Sequence, residues 1–334
     1  MRVSTLSFAC LLLALFGEAT AAQSTPPLAA AAPVVERVGV ARGEDGAIVG
    51  ERIYRLLPFD SLSDGLRREL GWSSTRADYE RVRRDARFAL RKIEYASDGL
   101  RVIAYVYQPA GPGVRRLPVI VFNKGSYVTG DQAPVLAPMM HRLAHAGFLV
   151  IAPQYRGSDG GEGHDEMGGA DVHDVLNAVR LATRLPAADS TRVYMYGESR
   201  GGMMTLQALR DGVHVLAAAT VGAFTDLDSL LAADPRARGA AAAIWPEFER
   251  DHSTIAQRRS AVAWSGSLRL PLLILHGGAD PQVSPRHSLR LALQLDDAKQ
   301  PYELHVLSGG SHTLGERAAL RDSLVIAWFR THSR

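Results

Sequence analysis

The sequence predicts an α/β fold: a mostly parallel sheet of eight strands covered by helices on both faces. Three observations carry this. From residue 118 onward, short runs of Val, Ile, Leu and aromatic residues alternate with helix-length stretches, as parallel strands joined by crossover helices require. Runs such as Val119-Ile120-Val121-Phe122 and Leu272-Leu273-Ile274-Leu275 are apolar throughout, which suits strands buried on both faces. Finally, Arg192-Val193-Tyr194-Met195-Tyr196 runs into Gly197-Glu198-Ser199-Arg200-Gly201, a Gly-x-Ser-x-Gly turn followed by a helix-forming stretch.

Taken in order, residues 1–22 read as a secretory leader, with Arg2, an apolar run from Leu6 to Phe16 and a small-residue cleavage context at Ala19-Thr20-Ala21-Ala22. The apolar run is shorter than the ~20 residues that span a bilayer, so no stable membrane insertion is expected once the leader is removed. Residues 23–35 are rich in Ala and Pro and read as a disordered linker. Residues 36–90 read as a mainly helical extension, with Trp72, Tyr79, Val82 and Phe88 set among arginines between Leu62 and Lys92. This extension either caps the mouth of a site or packs as a plain addition to the core. The domain from 91 to 334 opens with strands 91–96 and 101–108, an antiparallel hairpin turned at Ser97-Asp98-Gly99. The later strands are 118–122, 149–152, 193–196, 215–220, 272–276 and 302–307.

A formal charge of +3 is small for 334 residues, and the arginines are dispersed among acidic residues. Nucleic-acid binding is not suggested, despite the calculated pI of 9.1. Cys10 is the single cysteine and sits in the leader, without the small-residue box a lipoprotein would need; the exported chain would rely on a large core rather than disulfides.

The Gly-x-Ser-x-Gly turn reads as a nucleophile elbow. Its glycines permit a sharp strand-to-helix turn, and the following helix aims its N-terminal amides at the same spot. A serine hydroxyl needs a base to take its proton and a third group to orient that base. Asp280 lies in the turn that ends the strand Leu272–His276, and His312 follows the strand Tyr302–Leu307 in the glycine-rich loop Ser308-Gly309-Gly310-Ser311. The order Ser, Asp, His is the one this sheet demands, and all three fall at its carboxyl edge, where ligands bind. Among other candidates, His305 sits within a strand, His332 lies in the C-terminal tail, Asp296 and Asp297 are surface charges after a helix, and His276 is expected to tie down the acid loop.

With these motifs, Ile93-Glu94-Tyr95-Ala96-Ser97-Asp98-Gly99, Gln154-Tyr155-Arg156-Gly157-Ser158 and Gly278-Ala279-Asp280 with Val283 resemble segments of the prolyl oligopeptidase family of serine peptidases, a branch of the α/β-hydrolase fold. The resemblance covers about residues 90–334 and implies Ser199 as nucleophile, Asp280 as orienting acid and His312 as general base. It implies an oxyanion hole formed by the Arg200 backbone amide and a second donor from the loop after the third strand. Many family members place a tyrosine there; this chain has Asn123 at the nearest position and Tyr127 further on, so the second donor is either the Asn123 side chain or the Lys124 amide. The large members of the family also carry an N-terminal β-propeller, for which the stretch 36–90 has neither the length nor the strand repeats.

Phe224, Trp245 and Val283 are candidates for an apolar specificity pocket, against a reading in which they are core. Residues Asp159 to Asp174 read as a solvated acidic loop in which Glu162 is a candidate to receive a substrate's amino group. His141 and His145 share a helix face but have no third ligand of suitable spacing, so they read as polar surface, and no metal or other cofactor is implied. Arg156 is expected to brace backbone carbonyls. The whole points to an exported serine hydrolase, periplasmic or secreted, that cleaves peptide (amide) bonds through an acyl-enzyme. A carboxylesterase or other acyl hydrolase with the same triad is the rival enzyme, and a non-catalytic binding protein the rival of another class.

Overall fold

The computed structural model describes residues 44–111, 116–125, 130–233 and 237–333; the leader, the linker and Tyr127 lie outside them. The described residues form one nine-stranded sheet: β1 (Ile48–Ile53), β2 (Phe88–Ser97), β3 (Leu100–Pro109), β4 (Leu117–Asn123), β5 (Leu149–Pro153), β6 (Ala188–Glu198), β7 (Ala218–Val221), β8 (Leu272–Gly277) and β9 (Tyr302–Leu307), in spatial order β1-β2-β3-β5-β4-β6-β7-β8-β9. β1, β2, β3 and β5 pair antiparallel, and every pair from β5–β4 through β8–β9 is parallel. The ninth strand is β1, within the stretch that the sequence assigns to a mainly helical extension. Its six residues are partly exposed and carry a register irregularity between Ile48 and Gly50, so pairing to β2 rather than local pattern makes it a strand.

The extension also holds two short helices, α1 (Asp64–Leu70) and α2 (Arg76–Arg84). Gly71 and Ser73-Ser74 interrupt the pattern, and Thr75 restarts it with a capping box in which its side chain accepts from the Asp78 amide. From Phe88 the chain is already β2.

Alternate residues of the central strands enter different cores, as a period of two dictates. Val119, Val121, Val193 and Met195 face one core, packed by α4 (Val172–Ala182), α5 (Arg200–Arg210) and α9 (Arg286–Asp297). Ile120, Phe122, Tyr194 and Tyr196 face the other, packed by α3 (Ala133–His145) and α10 (Ala318–Thr331). α6 (Leu227–Ala232), α7 (Ala237–Ile244) and α8 (Phe248–Arg259) fill the excursion between β7 and β8. The strand after β4 lies on one side of it and β6 on the other. That reversal opens a crevice at the carboxyl ends of β4 and β6.

Candidate active site

Ser199 stands between β6 and α5 with φ 54° and ψ −122°, a conformation costing about 1–3 kcal/mol that surrounding structure must impose. The imposition is visible. The Ser199 amide donates to the Val221 carbonyl at 2.8 Å, which ties the turn to β7. A Cβ on Gly197 would come within 2.2 Å of the Gly201 carbonyl oxygen, and one on Gly201 within 1.9 Å of that of Asn123. The elbow closes only because both positions lack side chains.

Asp280 and His312 meet across the ends of β8 and β9, with Nδ1 of His312 2.7 Å from Asp280 Oδ2. An ionised carboxylate only accepts, so Nδ1 carries the proton and Nε2 is left as a lone-pair acceptor. That Nε2 is buried without a hydrogen-bond partner among the described residues, and His312 and Ser199 line the same cavity. The other oxygen of Asp280 accepts from the amides of Gln282 and Val283 at 2.8 and 2.9 Å. Burial alone would raise this carboxyl, but hydrogen bonds from His276, His312 and the Val283 amide hold it well below the usual carboxylate range. His276 behaves as its sequence position suggests: its Nε2–H donates to the Val283 carbonyl at 2.9 Å, 3.3 Å from Asp280 Oδ2, while Nδ1 accepts from the Ser288 hydroxyl at 2.7 Å. Gly222 makes room for His312, since a Cβ there would lie 3.1 Å from His312 Nδ1 and 2.5 Å from its carbonyl oxygen.

Arg200 is the first residue of α5, so its amide belongs to the N-terminal end of the helix beside Ser199. Its side chain turns inward, over the Tyr155 ring, and pairs with Asp165 at 2.5 and 2.8 Å and with Asp171 at 2.8 Å. Burial would lower the Arg200 pKa, but these carboxylates outweigh it and raise it. The acidic segment is thus no solvated loop: Asp165, Asp171 and Asp174 are buried. Arg156 likewise binds carboxylates rather than carbonyls, pairing with Asp174 at 2.8 Å and Asp98 at 2.9 Å.

Of the two candidates for the second oxyanion donor, the Asn123 side chain is directed away from the cavity. Its Nδ2 donates to Thr205 Oγ1 at 2.8 Å, beneath the elbow, and Thr205 in turn donates to the Gly201 carbonyl at 2.9 Å. Lys124 does line the cavity, with its carbonyl held by the Tyr155 hydroxyl at 2.9 Å. Burial, helped by the Arg200 charge, brings the Lys124 ammonium down to about 8.

The substrate-pocket candidates are placed elsewhere. Phe224 is fully packed in the core. Trp245 is also core, and its Nε1 donates to the Glu166 carbonyl at 2.7 Å. Val283 is buried, with its main chain serving the acid loop. Glu162 accepts from the Arg101 amide at 2.9 Å at the start of β3. The cavity, about 260 Å³, is walled instead by Phe122, Val135 and Leu136 on one side and by Glu69, Trp72 and Ser73 of the N-terminal extension on the other. Burial pushes the Glu69 carboxyl up, against the pull of the Lys124 charge. No sequence motif marks these residues; they reach the cavity because the turn after α1 packs on the loop beyond His312. The Trp72 carbonyl there would lie 1.9 Å from a Cβ on Gly315.

The chain is similar to known proteins in sequence and in fold. The human acylamino-acid-releasing enzyme is 27% identical over 266 residues, covering 72% of this chain but only 35% of that one. The uncharacterized peptidase YtmA of Bacillus subtilis (strain 168) is 29% identical over 227 residues, or 67% of this chain and 86% of the relative. A solved Mycobacterium tuberculosis puromycin-hydrolyzing peptidase superposes with a TM-score of 0.63 at 28% identity, covering 73% of this chain and 39% of that one. The sequence profile of the prolyl oligopeptidase family matches residues 136–334, which include Ser199, Asp280 and His312. This match spans more than half of the chain, and the chain belongs to the prolyl oligopeptidase family of serine peptidases.

Proposed function

We propose that the protein is an exported hydrolase that cleaves peptide or other amide bonds through Ser199, His312 and Asp280 and an acyl-enzyme intermediate. The observation that carries this is the Nδ1–Oδ2 hydrogen bond of 2.7 Å between His312 and Asp280, which turns Nε2, without a partner among the described residues, to the cavity that Ser199 also lines. In the proposed reaction His312 Nε2 accepts the Ser199 proton as Oγ attacks the substrate carbonyl, then donates it to the leaving amine. Asp280 holds the tautomer and stabilises the imidazolium. The main-chain amides of Arg200 and Lys124 receive the oxyanion, since the Asn123 side chain is committed to Thr205. A second reading, hydrolysis of carboxylic esters by the same residues, is favoured by the apolar wall of Phe122, Val135 and Leu136.

Support for peptides comes from the family and from relatives named as acylamino-acid-releasing and puromycin-hydrolyzing enzymes. The test is hydrolysis of free and N-acylated amino-acid amides, puromycin and short aryl esters by the wild type, Ser199→Ala and His312→Ala. Amide cleavage that falls by roughly three or more orders of magnitude in both variants is expected. Ester turnover without amide cleavage selects the second reading, and amide cleavage surviving in Ser199→Ala removes both. Export, proposed from the leader at residues 1–22, is tested by cell fractionation: recovery of the full-length chain in the cytoplasm would defeat it.

A further inference from the structure

We propose that Asp85, His141 and His145 form a binding site for a divalent transition-metal ion of the zinc class, bridging the N-terminal extension to α3. His141 and His145 lie one helical turn apart, so their rings leave the same face of α3. Sequence spacing offers no third ligand, but the fold brings one: Asp85, at the end of α2, places a carboxylate oxygen so that one donor atom from each of the three residues lies within 4.8 Å of the others. His141 Nε2 and Asp85 Oδ2 are 3.0 Å apart. Donors around a tetrahedral zinc ion with bonds of about 2.0–2.1 Å are separated by about 3.3 Å. Small side-chain rotations therefore close the set.

Two imidazoles and one carboxylate suit zinc and its first-row neighbours, whereas calcium and magnesium take oxygen ligands. The surroundings hold the rings in place. Phe88 packs on both imidazoles, with ring centroids 5.2 Å from His141 and 5.5 Å from His145, and Tyr107 meets His141 edge-on at 5.9 Å. The side chains of Asp85 and His141 are each 8% exposed, while His145 is exposed, so an ion would enter from the His145 side and keep water as its fourth ligand.

The same donor atoms now face a cation of the chain itself. Arg87 donates to Asp85 through Nε at 2.8 Å and Nη2 at 2.6 Å, and Nη2 lies 3.3 Å from His145 Nε2. The Arg87 side chain is 70% exposed, so it can swing into water at little desolvation cost and yield its place to a metal. None of these four residues lines the cavity beside Ser199. The bridge would instead fasten the extension, whose α1 end walls that cavity, to the helix whose first turn supplies Val135 and Leu136.

The test uses the purified chain without an affinity tag, freed of metal by chelation and titrated with zinc chloride by calorimetry, with the melting temperature followed in parallel. One tight equivalent and a rise of a few degrees at saturation are expected. His145 is exposed, so His145→Ala should fold normally; its unchanged melting temperature without zinc checks this, and its zinc affinity should fall at least about tenfold. Arg87→Gln removes the competing cation and should bind zinc several-fold more tightly, whereas a purely structural ion pair would give no gain. No binding at ~100 µM zinc overturns the proposal. So does affinity that is indifferent to His145→Ala, and so does equal or weaker binding in Arg87→Gln.

Discussion

At the scale of residues, His287 shows how a buried imidazole becomes a liability in acid. It lies beside the loop after β7, where the Thr225 amide donates to its Nδ1 at 3.3 Å and so requires that nitrogen unprotonated. Burial is the largest influence and takes its pKa down to about 4. The unfolded ring titrates near ~6.5, so the stabilisation is complete above that pH and is lost as pH falls through 6.5 towards 4. Acidification from pH 7 to pH 5 should cost about 2 kcal/mol through this group. Urea unfolding at the two pH values measures it, and His287→Gln should flatten the dependence; an equal slope in the variant would assign the acid sensitivity to other groups. Residue positions at the ends of strands were readable because chain order and loop composition mark Ser199, Asp280 and His312 without knowledge of packing. Phe224, Trp245, Val283 and Glu162 were not, since an apolar or acidic side chain in a loop faces whichever partner the tertiary fold brings to it. Glu162 found Arg101, and Trp245 found the core.

At the scale of elements, the turn after α1 and the loop after β9 form one unit. Gly315 lies so close to the Trp72 carbonyl that even alanine would place its Cβ 1.9 Å from that oxygen. Gly315→Ala should push the extension off the His312 loop. The expected signature is a rise of several-fold in KM for a chromogenic substrate, with a loss of about 1–3 kcal/mol in stability. A variant with unchanged KM would show that this wall does not touch substrate. The elbow is a second such unit. Arg200 carries a buried charge, which a fold tolerates only with partners, and the acidic segment between β5 and α4 supplies them in Asp165 and Asp171. The pairing was latent in the sequence as a cation inside the elbow and a cluster of acids upstream, but their burial was not, because glycine-rich acidic stretches are more often solvated.

At the scale of the whole molecule, stability rests on two apolar layers rather than covalent staples. Cys10 is the sole cysteine and lies outside the described residues, so no disulfide links any two of them. Thermal unfolding should give the same midpoint with and without a thiol reductant; a fall of several degrees with reductant would require an intermolecular bridge through Cys10. No helix among the described residues is long and apolar enough to cross a membrane.

The sequence by itself determined the parallel α/β architecture and the strand ends at which Ser199, Asp280 and His312 stand. Both follow from local causes: strands buried on two faces must be apolar throughout, and a sharp strand-to-helix turn needs glycine. Only the tertiary structure decided that Ile48–Ile53 is a strand, that Glu69 and Trp72 wall the cavity, that Asn123 supports Thr205, and that Asp85 joins His141 and His145. Each of these depends on a partner distant in the chain, and a local pattern carries no information about which partner the packed layers will supply.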